Sequence, residues 1–309
     1  LDLGGAQRAV SNITTHFSEE YDIDILLNSS DNVRYPYRGN ILDLGVRVAN
    51  NRDNLLYVIR VTFRRICNLR RLKKSGAYKA CISFLHSANI ANILTRTSKC
   101  KTIISVRNAM SEEYKNASLK KALVDVTAGI FYKKADCAVA VSKVIKADLI
   151  ANYGELSEKV VTIYNGYDLD EIVTKSKEEG NKLDGNPIIT TVGRLDYQKG
   201  QWHLIRCINA LKNEYPDIKL YIMGSGPYVD YFKEMISEGQ LENNVFLMGQ
   251  VNNPYAYVAQ SDVFVLPSLF EGFPNGLAEA SILGRACVAT DFTSGAREIL
   301  APDTEISEK

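Results

Sequence analysis

Residues 262–283 read Asp-Val-Phe-Val-Leu-Pro-Ser-Leu-Phe-Glu-Gly-Phe-Pro-Asn-Gly-Leu-Ala-Glu-Ala-Ser-Ile-Leu. The run Asp262–Leu266 has the apolar character of a buried parallel strand, and it stops at Pro267-Ser268. Gly272, Phe273, Pro274, Asn275 and Gly276 then carry the chain into a helical pattern that begins at Leu277. A strand, a glycine-bearing loop and a helix start together set backbone N–H groups and a positive helix end in front of a phosphate. Two carboxylates bracket that loop, Glu271 before it and Glu279 inside the helix.

Outward from this stretch the same alternation repeats. Strands are expected at 188–192, 219–223, 245–248 and 286–289, with helices at 200–214, 229–238 and around 254–259. The first half alternates as well. Strands are expected at 21–27, 41–44, 80–84, 102–106, 137–141 and 160–164, and helices at 5–17, 54–74, 118–132 and 143–152. Strands alternating with helices predict mainly parallel sheets covered on both faces, an α/β chain. A length of 309 residues exceeds what one core usually fills. The polar, Lys- and Glu-rich stretch 168–186 reads as a linker, which places domains at 1–180 and 181–309. The expected architecture is two doubly wound, Rossmann-like domains facing across a cleft, with ligands beyond the carboxyl ends of the strands.

Charge separates the halves. The net charge of +1 hides +7 over residues 1–180, from 27 Lys+Arg and 20 Asp+Glu, and −6 over residues 181–309, from 10 and 16. A basic half favours an anionic partner. The helix expected at 54–74 concentrates that charge. Leu55, Val58, Ile59, Phe63, Ile66, Leu69 and Leu72 fall on one side, and Arg60, Arg64, Arg65, Arg70, Arg71, Lys73 and Lys74 on the other. Either the cations form a solvated face or the helix lies on an anionic membrane surface. Phe63 is the one aromatic among the cations from Arg60 to Lys74, thin support for base stacking, and nucleic acid is not an expected partner.

The six cysteines, Cys67, Cys81, Cys100, Cys137, Cys207 and Cys287, are scattered with no C-x-x-C pair, and reduced thiols in a cytoplasmic protein are expected. No apolar run approaches the roughly 18 residues of a spanning helix, and no signal-peptide pattern is present. Gly4 and Gly5 read as a loop entering a helix with no strand before it, and 296–300 is followed only by a polar tail. Both termini are therefore expected to be incomplete.

Chemistry-bearing residues gather after the strands of the second half. Gly193 and Arg194 end one strand, and Lys199 stands before the next helix. Two cations beside a tight turn suit a diphosphate, although a strand-end arginine equally suits a salt bridge. Gly224-Ser225-Gly226-Pro227 is another glycine turn, which by itself can simply reverse the chain. His16 and His203 fall in helical patterns and read as structural. No D-x-D motif and no His/Cys cluster with ligand spacing appears, so no metal and no cofactor are expected.

Together the segments 192–200 (VGRLDYQKG), 223–227 (MGSGP), 245–251 (VFLMGQV) and 267–280 (PSLFEGFPNGLAEA) resemble the retaining glycosyltransferases of family 4, which have the GT-B fold. The last of these contains the family's Glu-x7-Glu motif as Glu271 and Glu279. In the first half, 3–10 (LGGAQRAV) is similar to the family's glycine loop, and 163–168 (IYNGYD) to its interdomain Asn-Gly segment with Asn165.

The resemblance implies roles. Glu279 binds the nucleotide's ribose, Glu271 the donor sugar, and backbone N–H groups around Pro274 to Leu277 face the diphosphate. Arg194 and Lys199 stabilise the charge that grows on the leaving diphosphate, where other glycosyltransferases use a metal. Gly4, Gly5, Gly193, Gly224, Ser225, Gly272, Phe273, Asn275 and Gly276 complete the donor set. The implied reaction moves a hexose or N-acetylhexosamine, with retention, from a nucleotide sugar (UDP-linked) to a polyprenyl-diphosphate-linked glycan or a polysaccharide. Attack would be front-face, with the leaving phosphate accepting the acceptor's proton. A soluble acceptor and a non-catalytic nucleotide-sugar-binding module are the alternatives.

One position departs from the family pattern. Many members carry a histidine near the donor sugar after a strand of the first domain, whereas here the strand 102–106 ends in Arg107-Asn108. Arg107 becomes a catalytic candidate, and Asn108, Asn165 and His86, which follows the preceding strand, become acceptor-side candidates.

Overall fold

The computed structural model describes residues 4–31, 33–45, 55–108, 118–178, 180, 182–292 and 295–304. The chain divides into two compact units, Leu1–Gly166 and Tyr167–Lys309. Every named strand pairs in parallel with its neighbours.

In the first unit, α1 (Gly5–His16) precedes β1 (Asp24–Leu27) and β2 (Asn40–Asp43), which pair with each other. Then come α2 (Leu55–Lys74), β3 (Ala80–Phe84), α3 (His86–Leu94), β4 (Lys101–Val106), α4 (Ser118–Phe131), β5 (Cys137–Ala140), α5 (Lys143–Asn152) and β6 (Val160–Thr162). These strands form a sheet in the order β3-β4-β5-β6. Ile104, Ala138 and Ala140 are wholly buried in it, as a sheet covered by helices requires. Ser142 caps α5, its hydroxyl accepting from Ile145 N at 3.2 Å.

The segment read as a linker contains α6 (Leu169–Ser176), started by Asp168, whose carboxylate accepts from Glu171 N at 2.8 Å. A single apolar residue, Ile172, is buried on its inner face, too little to reveal the helix as a periodic pattern. The second unit continues with β7 (Ile188–Val192), α7 (Trp202–Leu211), β8 (Lys219–Met223), α8 (Val229–Glu238), β9 (Val245–Gly249), α9 (Tyr255–Val258), β10 (Val263–Leu266), α10 (Asn275–Ile282), β11 (Ala286–Ala289) and α11 (Ala296–Leu300). The strand order is β11-β10-β7-β8-β9.

Successive residues of a strand point to opposite faces, and β8 uses this to feed two cores. Leu220 and Ile222 join Leu204, Ile205 and Ile208 of α7 and Phe232 of α8. Met223 joins Val258, Phe264, Leu266, Leu277 and Ala280. The second core roots α10 against β10, so the helix start is held at the carboxyl end of the sheet.

Helix 54–74 differs from its expected two-sided pattern. Phe63, expected on the apolar side, is 68% exposed, while Lys73, expected among the surface cations, is buried. The Lys73 ammonium donates to Asn92 O at 2.8 Å, to Asn92 Oδ1 and to Thr102 Oγ1. Arg65 turns inward to donate to Asn28 Oδ1 and Ser87 Oγ. A long basic side chain can carry its charge to a polar partner under the sheet, which residue spacing does not register. Helix α3 was not anticipated either. Its buried positions mix Ala91 and Ile93 with Asn89 and Asn92, polar residues paired inside the fold, so no clean apolar stripe marks it.

Candidate functional site

Three loops meet at the carboxyl ends of β7, β8 and β10. After β7, Asp196 caps a short 3₁₀ turn, Tyr197–Lys199, accepting from Lys199 N at 3.2 Å. The same carboxylate takes the Arg194 guanidinium. The chain then needs a left-handed residue and finds Gly200, with φ of 62°; a Cβ there would lie 2.3 Å from Pro267 O. Gln198 fastens this turn to the loop after β10, donating to Phe270 O at 2.9 Å while its own carbonyl accepts from Leu269 N at 2.8 Å.

That clamp sets Lys199 against Glu271. The ammonium donates to Glu271 Oε1, which also accepts from Ser268 Oγ at 2.7 Å. The Glu271 side chain is 9% exposed and that of Lys199 23%. An ion pair this enclosed acts in a medium of low effective dielectric, so its charges are strongly felt nearby. Arg194 is more open, its side chain 69% exposed and tethered to Asp196.

The glycine turn after β8 packs directly on the one after β7. A Cβ on Gly224 would fall 1.9 Å from Gly193 O, and one on Gly226 would fall 2.3 Å from Leu195 O. Leu195 N donates to Ser225 O at 3.0 Å, and Gly193 N to Met223 O at 3.0 Å. Gly193, Gly224 and Ser225 are thus backbone partners. Glycine is required here for close approach.

Helix α10 begins after Pro274 with no side-chain cap. Of the stretch expected to offer amides, Pro274 has none, and Leu277 N closes the first turn onto Pro274 O at 3.1 Å. Asn275 and Gly276 therefore lead the helix, with its positive end behind them. Gly272, Phe273 and Pro274 are backed by Gly295, where a Cβ would meet Pro274 Cδ at 2.7 Å and Gly272 O at 3.0 Å. Glu279, one helical turn on, is 7% exposed.

The structure thus gathers Gly193, Arg194, Lys199, Gly224, Ser225, Glu271, Gly272, Phe273, Pro274, Asn275, Gly276, Leu277 and Glu279 in one unit. The sequence reading overlooked Asp196, Gln198, Ser268 and Tyr167. The Tyr167 hydroxyl donates to Asn275 Oδ1 at 2.8 Å. Asp196 had a legible signal, an acidic residue placed three before Lys199 where a cap stands. Gln201 is buried beneath Gly193, its amide donating to Arg194 O at 3.2 Å and its Oε1 without a partner.

The remaining candidates lie in the first unit. Gly4 precedes α1 as its cap residue, and Gly5 opens the helix. Arg107, at the end of β4, donates to Asn165 Oδ1 at 2.7 Å, and Asn108 follows it. Asn12 of α1 donates to Gly166 O at 2.8 Å, beside Asn165. His86 opens α3 after β3, one strand before the position where family members carry a histidine, and both its ring nitrogens are engaged, Nδ1 with Tyr132 OH at 2.9 Å and Nε2 with Thr127 Oγ1 at 3.1 Å. Burial pushes its pKa below the ordinary histidine value. Among the described residues, no group of three or more His, Cys, Asp or Glu is arranged to hold a metal.

The model of the Glycosyltransferase Family 4 domain matches residues 3–171, and that of Glycosyl transferases group 1 matches residues 173–305. The chain belongs to glycosyltransferase family 4. Among relatives of this family-4 chain, a Campylobacter jejuni protein is 30% identical over 98% of the chain and 82% of its own length. It is named N-acetylgalactosamine-N,N'-diacetylbacillosaminyl-diphospho-undecaprenol 4-alpha-N-acetylgalactosaminyltransferase. An uncharacterized glycosyltransferase of Methanocaldococcus jannaschii is 33% identical over 74% of the chain, a match spanning 58% of that relative's length. Solved structures with the same fold include Anabaena HepE in complex with UDP-glucose, with a TM-score of 0.70 at 17% identity, covering 96% of this chain and 79% of that one. Sucrose-phosphate synthase from Thermosynechococcus elongatus has a TM-score of 0.71 at 15% identity, covering 93% and 74%. The family-4 chain accordingly has the GT-B architecture of two Rossmann-like units.

Proposed function

We propose that the chain transfers a hexose or N-acetylhexosamine from a UDP-sugar to a glycan carried on a polyprenyl diphosphate or to a polysaccharide, with retention at the anomeric carbon. The observation that carries this reading is the enclosed Lys199–Glu271–Ser268 cluster beside the uncapped start of α10. As the bond to the anomeric carbon breaks, negative charge builds on the departing diphosphate. A fixed ammonium, a tethered guanidinium and a helix N-terminus lower that barrier because they are aligned beforehand. In this reading Lys199 and Arg194 take the part that a divalent metal plays elsewhere. Glu271 holds the donor sugar's hydroxyls, Glu279 the ribose, and the leaving phosphate accepts the proton of the attacking hydroxyl.

On the acceptor side the reading assigns Arg107, Asn108 and Asn165, with His86 holding α3 to α4. The Campylobacter jejuni relative's name specifies an acceptor on diphospho-undecaprenol. An acceptor of that kind agrees with a peripheral protein at the cytoplasmic face of a membrane, drawn there by the exposed arginines of α2. Measuring UDP release and product mass with candidate donors and lipid-linked acceptors tests the proposal. Full activity in both Lys199→Ala and Glu279→Ala would overturn it, and donor binding without turnover would favour a binding module.

A further inference from the structure

Tyr167 opens the second unit, one residue ahead of the Asp168 that caps α6. That helix is fixed to the rest of its unit. Ile172 is buried on its inner side, and Asn253 Nδ2 donates to Lys175 O at 2.7 Å and to Glu178 Oε2 at 2.8 Å. The half-buried Tyr167 ring is thus presented from a fixed element, and a phenol in that setting seeks a partner for its hydroxyl. It finds one 108 residues on, where the hydroxyl donates to Asn275 Oδ1 at 2.8 Å.

Asn275 is the first residue of α10, the helix whose start the proposed reaction turns toward the diphosphate. Every helix start leaves amides that its own turns do not bond. Here Leu277 N and Ala278 N close onto Pro274 O, at 3.1 and 3.2 Å, and neither bond uses Gly276. Pro274, at the cap position, has no side-chain acceptor to offer. Asparagine is the opposite case, because its side-chain oxygen bonds readily to its own or nearby backbone N–H groups. At the head of this helix that oxygen is a built-in competitor for an anion. The Tyr167 hydroxyl takes it up instead.

We infer that Tyr167 is a positioning residue for donor binding: by engaging Asn275 Oδ1 it keeps the start of α10 open to the nucleotide's diphosphate. It touches no substrate in this role. The inference rests on the reading of α10 as the diphosphate site, and goes beyond it in naming what keeps that site open. Loss of the hydroxyl lets Asn275 turn its oxygen onto the amides, which satisfies the helix start and sets an acceptor against the incoming phosphate.

Calorimetric titration of the full chain with UDP, and with uridine in competition, tests it. Tyr167→Phe should bind UDP about tenfold more weakly, the loss of roughly one hydrogen bond to a charged group. Its melting temperature should stay within about 3 °C of the unaltered chain. Uridine has no phosphate to meet α10, so its affinity should not move. In an Asn275→Ala background no side-chain oxygen competes, and adding Tyr167→Phe should cost no further affinity. Equal UDP affinity of Y167F and the unaltered chain would overturn the inference. So would an equal loss for UDP and uridine, or a loss that persists on N275A, since either would make Tyr167 a brace for the fold. A chain that binds no UDP would overturn the nucleotide reading and this inference with it. UDP binding governed by Tyr167 without sugar transfer would leave the inference standing and remove the catalytic reading.

Discussion

The Lys199 ammonium donates to Oε1 of the Glu271 carboxylate, and the Ser268 hydroxyl donates to the same oxygen. Removing one member leaves the other charged and enclosed. Lys199→Ala is expected to lower stability by about 2–3 kcal/mol, less than the roughly 3–5 kcal/mol of a wholly buried pair, because Lys199 is partly exposed. Turnover should fall about 10²- to 10³-fold, the usual loss when a preorganised group that stabilises developing charge is deleted. Urea titration and UDP release measure the two effects separately. In the double variant K199M/E271Q stability should largely recover while activity does not.

Glu279 is held on α10 by a helix rooted in the core, so substitution there should leave the fold intact. Glu279→Ala is expected to weaken UDP binding about 10- to 100-fold, corresponding to loss of roughly 1.5–3 kcal/mol of hydrogen bonding to a charged group. Calorimetric titration with UDP reads this directly. Unchanged affinity would remove Glu279 from the nucleotide site.

Gly224 lies at a backbone-to-backbone crossing, where a Cβ would come 1.9 Å from Gly193 O. It also has φ of 145°, where a side chain is strained. Gly224→Ala is expected to cost about 3 kcal/mol or more and to depress donor binding through displaced loops. Gly249→Ala serves as the comparison. It too has positive φ, at 65°, but an added Cβ meets nothing within 4 Å, so the smaller penalty of backbone strain alone is expected. Thermal melting distinguishes them.

His86 is kept neutral by burial, its folded pKa lying below the ordinary value of 6.5. The unfolded chain then binds the proton that the folded chain refuses, so stability rises with pH through that window and is lost as pH falls below about 6.5. His86→Gln should flatten this acid-side slope. Denaturant midpoints between roughly pH 7 and 5 would show it, and an unchanged slope would mean that other groups dominate.

Lys73 is buried with Asn92 and Thr102 as its partners, and desolvation lowers its pKa. Lys73→Ala removes the donor and opens a cavity, with an expected loss of about 2–4 kcal/mol. Lys74→Ala, at the exposed neighbour, should change stability by less than about 0.5 kcal/mol. The contrast separates a structural lysine from the surface stripe it adjoins in sequence.

Most of the second unit was legible because its rules are local. An apolar run ending in Pro267-Ser268, followed by glycine, proline and asparagine, has few physical outcomes other than a strand, a loop and a helix. Two of the missed helices, α3 and α6, bury asparagines among their apolar residues or a single isoleucine, and periodicity of apolar residues does not report such elements. In the site, Glu271, Glu279, Arg194 and Lys199 were visible as residue types beside turns. Gln198 and Tyr167 were not, because each acts on a residue distant in sequence, as Gln198 does on Phe270 and Tyr167 on Asn275. Ser268 stands three residues before the Glu271 it holds, but a lone serine in a loop carries no pattern.

Sequence alone determined the α/β class, the family and the identity of the charged residues around the donor loop, since these depend on neighbours in the chain. Tertiary structure decided which charges are paired or buried. It sank Lys73 under α3, joined Lys199 to Glu271 and set Tyr167 on Asn275. Burial and ion pairing depend on what the fold brings alongside a residue, and spacing along the chain carries no term for that distance.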